Sequence, residues 1–591
     1  MAKKKTVDYG FTPSEYQAKF FDFIQHGVGN AVIRATAGSG KTTSAVAAMK
    51  LIPKKQKCLF IAFNKSIADE LSERLKNNEN VQARTAHSLG FLMLKRNIGN
   101  DIEVDEYKYR TFLKKNINGL TNLNDANLTL KQANEYIESV SMLIDYSRFN
   151  LAQSVKEINE VALKYDIPIN FDECEVTLKC LEWGKEHTET IDYTDMVWLP
   201  VELSLKPLGL QYDWIFVDEC QDMSLMSIQL FLKCFKRGSR FVAIGDDSQM
   251  INLFAGSSEE AFKFMCEYPN TQLFELPISY RCAKKVVELA NAFVPMMQAR
   301  EDAPEGIILN NCRTSVFKDG DMVLSRSKSP LLKLYVKLLR KGVNCYIKGQ
   351  DIGLNLIKLL ETTDINELNC DLKKDGVFVR LYDNLFNERN KLMNKRGLDY
   401  KDATLSSVIM EKYDTINALS VLAEKFKTKT ELIENIKKIF QENSKGVCLS
   451  TVHKAKGLEA DNVYILCHSS MPSKLAHHEW EKIQERNLIY VAYTRAKKTL
   501  GFISEKEIPP SGSSQEPMEI INELNFIENQ VCKILGKEPI EKMELSEISR
   551  FKLKTATVID DIPKGNVIDN NYKTVNYKDE KDLLKELEGM F

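Results

Sequence analysis

The chain has 591 residues, of which 43% are hydrophobic and 28% are charged, and its formal net charge is −1. This length exceeds what one hydrophobic core supports and predicts about three to four domains. The even balance of charge argues against a protein that coats nucleic acid through its whole surface. Any nucleic-acid contact is therefore expected in a local groove.

Apolar runs and cysteines indicate the compartment. No apolar run approaches the ~20 residues needed to span a bilayer, and the basic start Met1–Lys5 leads into polar sequence, unlike a secretory signal. The 13 cysteines include no Cys-x-x-Cys pair, which predicts neither a disulfide scaffold nor a zinc site of the usual spacing. We therefore expect a reducing cytoplasm (the bacterial cytosol, or the host cytosol for a phage-encoded chain) and no membrane partner.

The N-terminal segment carries a predicted helix start. Thr12 has the hydroxyl of an N-cap, Pro13 suits the first helical position, and Glu15 is placed as the capping-box partner. Gln17 lies one turn into this helix. Its amide either hydrogen-bonds an adenine edge or is an exposed surface group.

A glycine-rich loop follows the strand-like run Ala31-Val32-Ile33. Such a loop directs successive backbone N–H groups at a polyphosphate. Gly38 and Gly40 permit close approach of the backbone, although Ala35 replaces the pattern's usual first glycine. In this pattern the lysine reaches the β- and γ-phosphates and the following threonine supplies a metal ligand. The predicted phosphate-binding residues are Ala37, Gly38, Ser39, Gly40, Lys41, Thr42 and Thr43.

Two acidic motifs end later strands of the same block. Asp218 and Glu219 follow the apolar run 214–217, and Gln249 closes the polar segment after the strand 241–245. Adjacent residues at a strand end point in different directions, so Asp218 can hold Mg²⁺ while Glu219 orients the attacking water. Gln249 is placed where a γ-phosphate sensor would lie. Together with the glycine-rich loop, these motifs predict a triphosphatase that uses ATP and Mg²⁺.

Strand and helix patterns alternate along the chain and predict an α/β fold with two lobes, each carrying a helical insertion. The predicted boundaries are 1–95 and 191–276 for the first lobe, 96–190 for its insertion, 277–354 and 446–505 for the second lobe, and 355–445 for its smaller insertion. Residues 506–591 open with a Pro/Gly/Ser-rich stretch and are predicted to form a linker and flexible tail. The amphipathic end of this tail either docks on a protein partner or is a solvated helix.

Further motifs occur in the order found in one family. They are Phe63-Asn64-Lys65, Thr85-Ala86-His87-Ser88, Ser279-Tyr280-Arg281, the run Thr451–Glu459 (TVHKAKGLE) and the run Tyr490–Ala496 (YVAYTRA). The last two are long and specific. From about residue 10 to 505 the chain resembles the UvrD/Rep-like helicases of superfamily 1.

This resemblance implies two RecA-like parallel-sheet motor lobes and assigns roles to single residues. It implies that Tyr280 stacks on adenine and that Glu459 contacts the ribose. Arg281 and Arg495 would approach the γ-phosphate as arginine fingers. The catalytic residues expected on these grounds are Lys41, Glu219, Gln249, Arg281 and Arg495. The residues expected along the single strand are Phe63, Asn64, His87, Phe254 and His453. An aromatic ring under a base contributes about 1–3 kcal/mol.

One departure from the family bears on how the strand is held. The family commonly reads Gln-Ser-Ile-Tyr-x-Trp-Arg-Gly-Ala, whereas this chain has QMINLFAGS at Gln249–Ser257. Phe254 replaces the tryptophan, while Asn252 and Ala255 replace the tyrosine and the arginine. We therefore expect a weaker or differently paced grip on the strand.

The resemblance implies an ATP-dependent translocase on single-stranded DNA and a 3′–5′ helicase that acts on single strands or tailed duplexes. The alternative is a DNA-stimulated ATPase switch that grips or moves on single strands without unwinding alone and acts through a partner. The small second insertion favours this alternative modestly. RNA stays open as a track because stacking and phosphate contacts barely distinguish a 2′-hydroxyl. We do not expect a helicase–nuclease fusion, because only 96 residues follow Arg495 in this sequence.

Overall fold

The computed structural model describes residues 9–75, 78–120, 130–165, 167, 171–251, 259–348, 350–396, 398–439, 445–476, 479–510 and 515–537. The chain divides into two compact units. The first contains the described residues up to 308 together with 318–326 and 445–500. The second contains 309–317, the described part of 327–444 and the described residues from 501 on. Among the helices in these ranges, none is long and apolar enough to cross a membrane.

The first sheet has six strands, all paired in parallel, in the order β3-β2-β6-β7-β1-β8. Its strands are β1 (Asn30–Ala35), β2 (Cys58–Ala62), β3 (Val81–Thr85), β6 (Tyr212–Val217), β7 (Phe235–Gly245) and β8 (Thr271–Leu276). β2 is buried along its whole length, as expected for a parallel strand with both faces covered. β3 is a half-exposed edge strand whose sequence VQART has no apolar run, and the sequence analysis missed it.

Helices cover both faces of the first sheet. They are α1 (Glu15–His26), α2 (Lys41–Met49), α3 (Lys65–Arg74), α4 (Ala86–Asn97), α10 (Leu225–Lys233) and α11 (Glu259–Glu267). The helix α12 (Lys284–Ala290) follows this sheet in the chain. Phe60 belongs to one buried apolar core, whereas its neighbours Leu59 and Ile61 belong to the other. Consecutive strand residues therefore face opposite layers of the fold.

The start of α1 differs from the prediction. The helix begins at Glu15 with Ser14 as its N-cap, and the Ser14 Oγ accepts from the Gln17 N–H at 3.2 Å. The Gln17 Oε1 accepts from the Ser14 N–H at 3.0 Å, which completes a capping box. The predicted N-cap Thr12 and partner Glu15 were wrong by two residues, because this stretch offers two hydroxyl groups and only one starts the helix.

The first insertion is helical. Its helices are α5 (Lys108–Leu120), α6 (Leu130–Asn150), α7 (Val155–Lys164) and α8 (Phe171–Glu186), and α9 (Asp195–Glu202) follows it. The strands β4 (Glu103–Val104) and β5 (Thr190–Ile191) form a two-stranded pair. Four buried charged side chains meet where the insertion contacts the segment before α9 and the start of that helix, and they are here called the insertion cluster: Lys108, Arg148, Asp192 and Asp195. Their separation in the sequence gives no hint of this contact.

The second sheet also has six strands, in the order β11-β16-β15-β12-β14-β13. Its strands are β11 (Ile307–Cys312), β12 (Met322–Ser325), β13 (Cys345–Ile347), β14 (Val447–Thr451), β15 (Ala460–Leu466) and β16 (Ala496–Ile503). β12 pairs in parallel with both β14 and β15. A short parallel pair, β9 (Ile278–Ser279) with β10 (Gln298–Ala299), precedes this sheet in the chain, and α19 (Glu479–Tyr493) leads into β16.

The second unit is mainly helical. Its helices are α13 (Lys328–Arg340), α14 (Gln350–Glu361), α15 (Val377–Arg396), α16 (Tyr400–Thr404), α17 (Ser407–Ala423), α18 (Lys429–Ile439) and α20 (Pro517–Leu535). α20 packs on α15. The buried guanidinium of Arg389 donates to both carboxylate oxygens of Glu528 at 2.6 and 2.9 Å. The prediction of a linker and flexible tail is therefore corrected for 517–535, which is a docked helix.

The predicted α/β class with two RecA-like lobes and helical insertions is confirmed. The residue boundaries assigned to the domains stay predictions. The amphipathic segment 582–591, predicted as a docking tail, lies outside the described residues.

Candidate nucleotide and single-strand sites

The phosphate loop joins the end of β1 to the start of α2. Gly38 and Gly40 have φ values of +71° and +78°, in the left-handed region that favours glycine. A Cβ at Gly38 would lie 2.5 Å from the Cβ of Arg281, so no side chain fits there. Gly40 caps α2 without a side-chain hydrogen bond. The first N–H groups of that helix are thus available to an anion.

Other predicted loop residues are present in the same turn. Ala37 and Ser39 are buried, whereas Thr43 is exposed on the first turn of α2. The Ser39 Oγ is buried and has no hydrogen-bond partner among the described residues. A buried unpaired hydroxyl in a phosphate loop is a group that a ligand oxygen would satisfy.

The lysine and threonine that follow the loop face the acidic pair at the end of β6. Thr42 Oγ1 donates to Asp218 Oδ2 at 2.8 Å, and Lys41 Nζ lies 3.9 Å from Glu219 Oε1. Burial raises the pKa of Asp218 to about 6, and the Glu219 carboxylate adds to this. Burial opposes ionisation of Glu219 too, but Lys41 and Lys456 outweigh it and lower its pKa. A hydroxyl and a carboxylate in contact are oxygen donors suited to Mg²⁺.

Gln249 lies within a buried hydrogen-bond network. Its Nε2 donates to Asp246 Oδ2 at 2.7 Å, and its Oε1 accepts from Arg495 Nη2 at 3.1 Å. The Tyr490 hydroxyl donates to Asp246 Oδ2 at 3.2 Å and accepts from the Ala37 N–H at 2.8 Å. Burial raises the pKa of Asp246 to about 6 and lowers that of Arg495 to about 10. The predicted sensor and one predicted arginine finger are therefore in direct contact.

The second predicted arginine finger has a different partner. Arg281 Nε donates to Glu459 Oε2 at 2.6 Å, and Lys497 Nζ lies 2.6 Å from Glu459 Oε1. The residues assigned to the γ-phosphate and to the ribose are thus paired with each other. Tyr280 is 42% exposed, as a platform for a base requires, and its N–H donates to Gly38 O at 2.8 Å.

Gln17 is buried, so its interpretation as an exposed surface glutamine is wrong. Its Oε1 is engaged in the capping box, and its Nε2 donates to Ser44 Oγ at 2.9 Å. The side chain therefore braces α1 against α2. Its contact with adenine stays a prediction.

The residues predicted to line the single strand are distributed over several elements. Phe63 is 53% exposed directly after β2, and Asn64 caps α3 by accepting from the Ile67 N–H. His87 is exposed on the first turn of α4, and His453 is half-buried after β14. Phe254, with the divergent positions Asn252 and Ala255, lies outside the described residues. That these groups form one track stays a prediction.

The sequence analysis missed several residues that tie the site together. The Gln221 Nε2 donates to Glu219 Oε2 at 2.6 Å, and its Oε1 accepts from the Asp246 N–H at 3.0 Å. Lys456 Nζ donates to Asp222 Oδ2 at 2.5 Å and to the Gln249 carbonyl at 2.9 Å. Lys456 lies inside the quoted run Thr451–Glu459, and Gln221 and Asp222 follow Glu219 within three residues, which was the available signal. Their spacing gave no indication of these contacts.

Comparison with known families identifies the arrangement. Residues 18–267 match the UvrD/REP helicase N-terminal domain, and residues 356–507 match the UvrD-like helicase C-terminal domain. The chain belongs to the UvrD/REP helicases of superfamily 1. Both matched domains are thus present in one chain, in the order that the motifs predicted.

Individual relatives of this UvrD/REP chain are distant. F-box DNA helicase protein 1 of Schizosaccharomyces pombe is 24% identical over 510 residues, covering 79% of this chain and 55% of the relative. The Probable DNA helicase II homolog of Mycoplasma genitalium is 22% identical over 620 residues, covering 85% and 86%. ATP-dependent DNA helicase PcrA of Leuconostoc citreum is 23% identical over 300 residues, covering 46% and 38%. The chain thus spans about half the length of the F-box relative.

Proposed function

We propose that this protein is an ATP-driven motor that moves 3′ to 5′ on single-stranded DNA and separates duplexes ahead of it. The observation that carries the proposal is the direct contact between Gln249 and Arg495, together with a glycine-rich loop that leads into α2. A sensor glutamine bonded to an arginine gives the site a means to respond to the γ-phosphate. Family membership and relatives described as DNA helicases support the same activity.

Catalysis would depend on side chains and backbone N–H groups that the fold already places around the phosphate loop. Lys41 and the N–H groups at the start of α2 would bind the β- and γ-phosphates, and Glu219, kept ionised by nearby lysines, would orient the attacking water. Arg495 would stabilise charge that develops on the transferring oxygens, because its buried guanidinium has no carboxylate in direct hydrogen-bond contact within the described residues.

Thr42 and Asp218 are the residues that would hold Mg²⁺. Their contact and the raised pKa of Asp218 fit a site where a carboxylate gains from a cation. A bound Mg²⁺ would supply positive charge that neutralises phosphate oxygens.

The Arg281–Glu459 pair offers a way to couple nucleotide binding to movement. A ribose hydroxyl on Glu459 and a γ-phosphate near Arg281 would each compete for one member of the ion pair. The pair would then open when ATP binds and reform after release. Such exchange of partners is how a ligand shifts a two-state element.

The proposed track is single-stranded DNA or the tail of a partial duplex. Exposed Phe63 would stack on bases, and His87 and His453 would contact the strand nearby. A protein partner, if engaged, would dock through the tail that lies outside the described residues. The compartment proposed is the cytoplasm, where such DNA substrates occur.

The test is the steady-state ATPase rate with and without single-stranded DNA, run in parallel with strand release from 3′-tailed, 5′-tailed and blunt duplexes. We expect DNA to stimulate the ATPase and release to occur from the 3′-tailed duplex alone. Stimulation without release from any substrate would instead establish the non-unwinding switch that acts through a partner. An RNA strand of the same sequence in place of the DNA tests which nucleic acid is the track. If neither strand stimulates the ATPase, the motor proposal is overturned.

A further inference from the structure

Tyr490 connects the phosphate loop to the sensor segment. It lies on α19 and is fully buried. Its hydroxyl accepts from the Ala37 N–H at 2.8 Å and donates to Asp246 Oδ2 at 3.2 Å. A phenol hydroxyl has a single proton, so one group accepts from the loop and donates to the carboxylate at the same time.

The chain of contacts continues beyond the carboxylate. Asp246 Oδ2 accepts from Gln249 Nε2 at 2.7 Å, and Gln249 Oε1 accepts from Arg495 Nη2 at 3.1 Å. Tyr490 and Arg495 lie five positions apart, at the end of α19 and directly after it. The Thr494 Oγ1 donates to the Tyr490 carbonyl at 2.8 Å and braces the turn between them. A closed circuit therefore runs from the phosphate loop through Tyr490, Asp246 and Gln249 to Arg495, and returns along the backbone.

We propose that Tyr490 is a positioning residue that couples the conformation of the phosphate loop to the orientation of Gln249 and Arg495. The proposal rests on the proposed function, since it concerns the same nucleotide site. Displacement of Ala37 by a bound polyphosphate moves the atom that the Tyr490 hydroxyl holds. The hydroxyl then shifts or releases its bond to Asp246, and Gln249 and Arg495 follow through their shared hydrogen bonds.

Removal of the hydroxyl alone is a clean probe of this role. In Tyr490→Phe the ring still fills its site, while the Ala37 N–H and Asp246 Oδ2 each lose a partner. The chain also offers a matched control on the same helix. Tyr493 is buried, and its hydroxyl contacts His468 Nε2 at 2.7 Å, away from the loop. Tyr493→Phe thus removes an equivalent buried hydroxyl without touching the circuit.

The experiment measures KM for ATP and kcat of the full chain, with and without single-stranded DNA, for both variants. For Tyr490→Phe we expect kcat to fall about tenfold or more with KM within about twofold. The ratio of DNA-stimulated to basal rate should move towards one. Tyr493→Phe should stay within about twofold of the natural chain in all values. Equal losses in both variants, or an unchanged kcat in Tyr490→Phe, would overturn the proposal.

A double-mutant cycle separates positioning from a general loss of packing. If Tyr490 acts through Asp246, Tyr490→Phe combined with Asp246→Asn should be no slower than the slower single variant. Losses that multiply would show that the two groups act independently and would refute the coupling. If the natural chain shows no stimulation by DNA, the motor proposal fails, but basal kcat in the same four proteins still decides the role of Tyr490.

Discussion

Two clusters of buried charge lie in the first unit, and they are built in opposite ways. The insertion cluster joins Lys108 and Arg148 to Asp192 and Asp195. The nucleotide cluster contains Asp218, Asp246 and Arg495, which are buried, together with Lys41 and Glu219, which are part-buried. Both clusters contain buried charged groups, which are costly to remove from water. The difference between them is whether each charge already has an opposite charge in contact.

The insertion cluster is saturated. Asp195 contacts Lys108 Nζ and Arg148 Nη1, each at 2.8 Å, and Asp192 accepts from both terminal nitrogens of Arg148 at 2.8 Å. Burial disfavours the charged form of Arg148, but Asp192 and the other acidic neighbours outweigh it and raise its pKa. Such a cluster holds helices in register and has no charge left for a ligand.

The nucleotide cluster is unsaturated. Its shortest pairing of opposite charges, Lys41 with Glu219, is 3.9 Å long. Burial raises the pKa of Asp218 and of Asp246 to about 6 and lowers that of Arg495 to about 10, so each carries its charge at a cost. The comparison indicates that buried charge without a close opposite partner marks a place where a charged ligand completes the site.

The largest expected effect comes from breaking the saturated cluster. Asp195→Asn leaves Lys108 and Arg148 buried with too little negative charge and should lower the free energy of unfolding by about 3–5 kcal/mol. Denaturant titration measures this value. Asp145→Asn is the control, because Asp145 pairs with the same arginine but is 48% exposed, and it should cost below about 1 kcal/mol. Equal costs would show that burial does not set the strength of the cluster.

The next effect is on chemistry. Lys41→Ala should lower DNA-stimulated ATPase activity at least about 100-fold, because it removes the cation proposed to bind the β- and γ-phosphates at the start of α2. Binding of single-stranded DNA, measured by fluorescence anisotropy, should be nearly unchanged. Lys50→Ala, at the exposed end of the same helix, should match the natural chain. Normal turnover in Lys41→Ala would contradict the assignment of the site.

Asp246→Asn sharpens the comparison because stability and activity should change in opposite directions. A carboxyl pKa raised to about 6 makes ionised Asp246 unfavourable at neutral pH, so its neutral replacement should raise the free energy of unfolding by up to about 3 kcal/mol. The ATPase rate should fall, because the amide changes the partner that Gln249 and Tyr490 require. If the variant were less stable than the natural chain, the ionised Asp246 would be stabilised by its neighbours, as Asp195 is by Lys108 and Arg148.

The smallest expected effect is a dependence on pH. Since the folded-state pKa of Asp246 is raised, its contribution to stability is greatest in acid and is lost as pH rises from about 4 to about 6. Activity depends on the carboxylate, so kcat/KM for ATP, which reports the pKa values of the ligand-free protein, should fall about tenfold per pH unit below about 6. Samples held at pH 5.5 and assayed at pH 7.5 control for unfolding. If the activity begins to fall only near pH 4, the raised pKa of Asp246 would be refuted.

Much of the site could be predicted because each motif follows an apolar run. The runs before Thr36, Asp218 and Asp246 became β1, β6 and β7, which lie side by side in one sheet. Parallel strands bring their carboxyl ends to one edge, so the motifs had to meet there. The helix α20 was missed although Ile520, Leu524 and Ile527 have helical spacing, because the preceding linker composition was extended too far.

Other contacts had no local signal. The insertion cluster joins Lys108 of α5 and Arg148 of α6 to the acidic pair Asp192 and Asp195 at the start of α9, and no spacing rule relates this pair to the two basic residues. The pairing of Arg281 with Glu459 joins two residues that the resemblance had placed on separate parts of the nucleotide. These contacts depend on the packing of elements far apart in the chain.

The sequence by itself determined the family, the two α/β lobes and the identity of the phosphate loop and acidic motifs, because each is encoded by a short run with its own periodicity. Only the tertiary structure decided which polar groups are partners. Tyr490 meets Ala37 across 453 positions of sequence, and Arg495 meets Gln249 across 246. Hydrogen bonds between residues so far apart in sequence form only when the donor and the acceptor are placed to within a few tenths of an ångström. The packing of whole helices and sheets sets this placement.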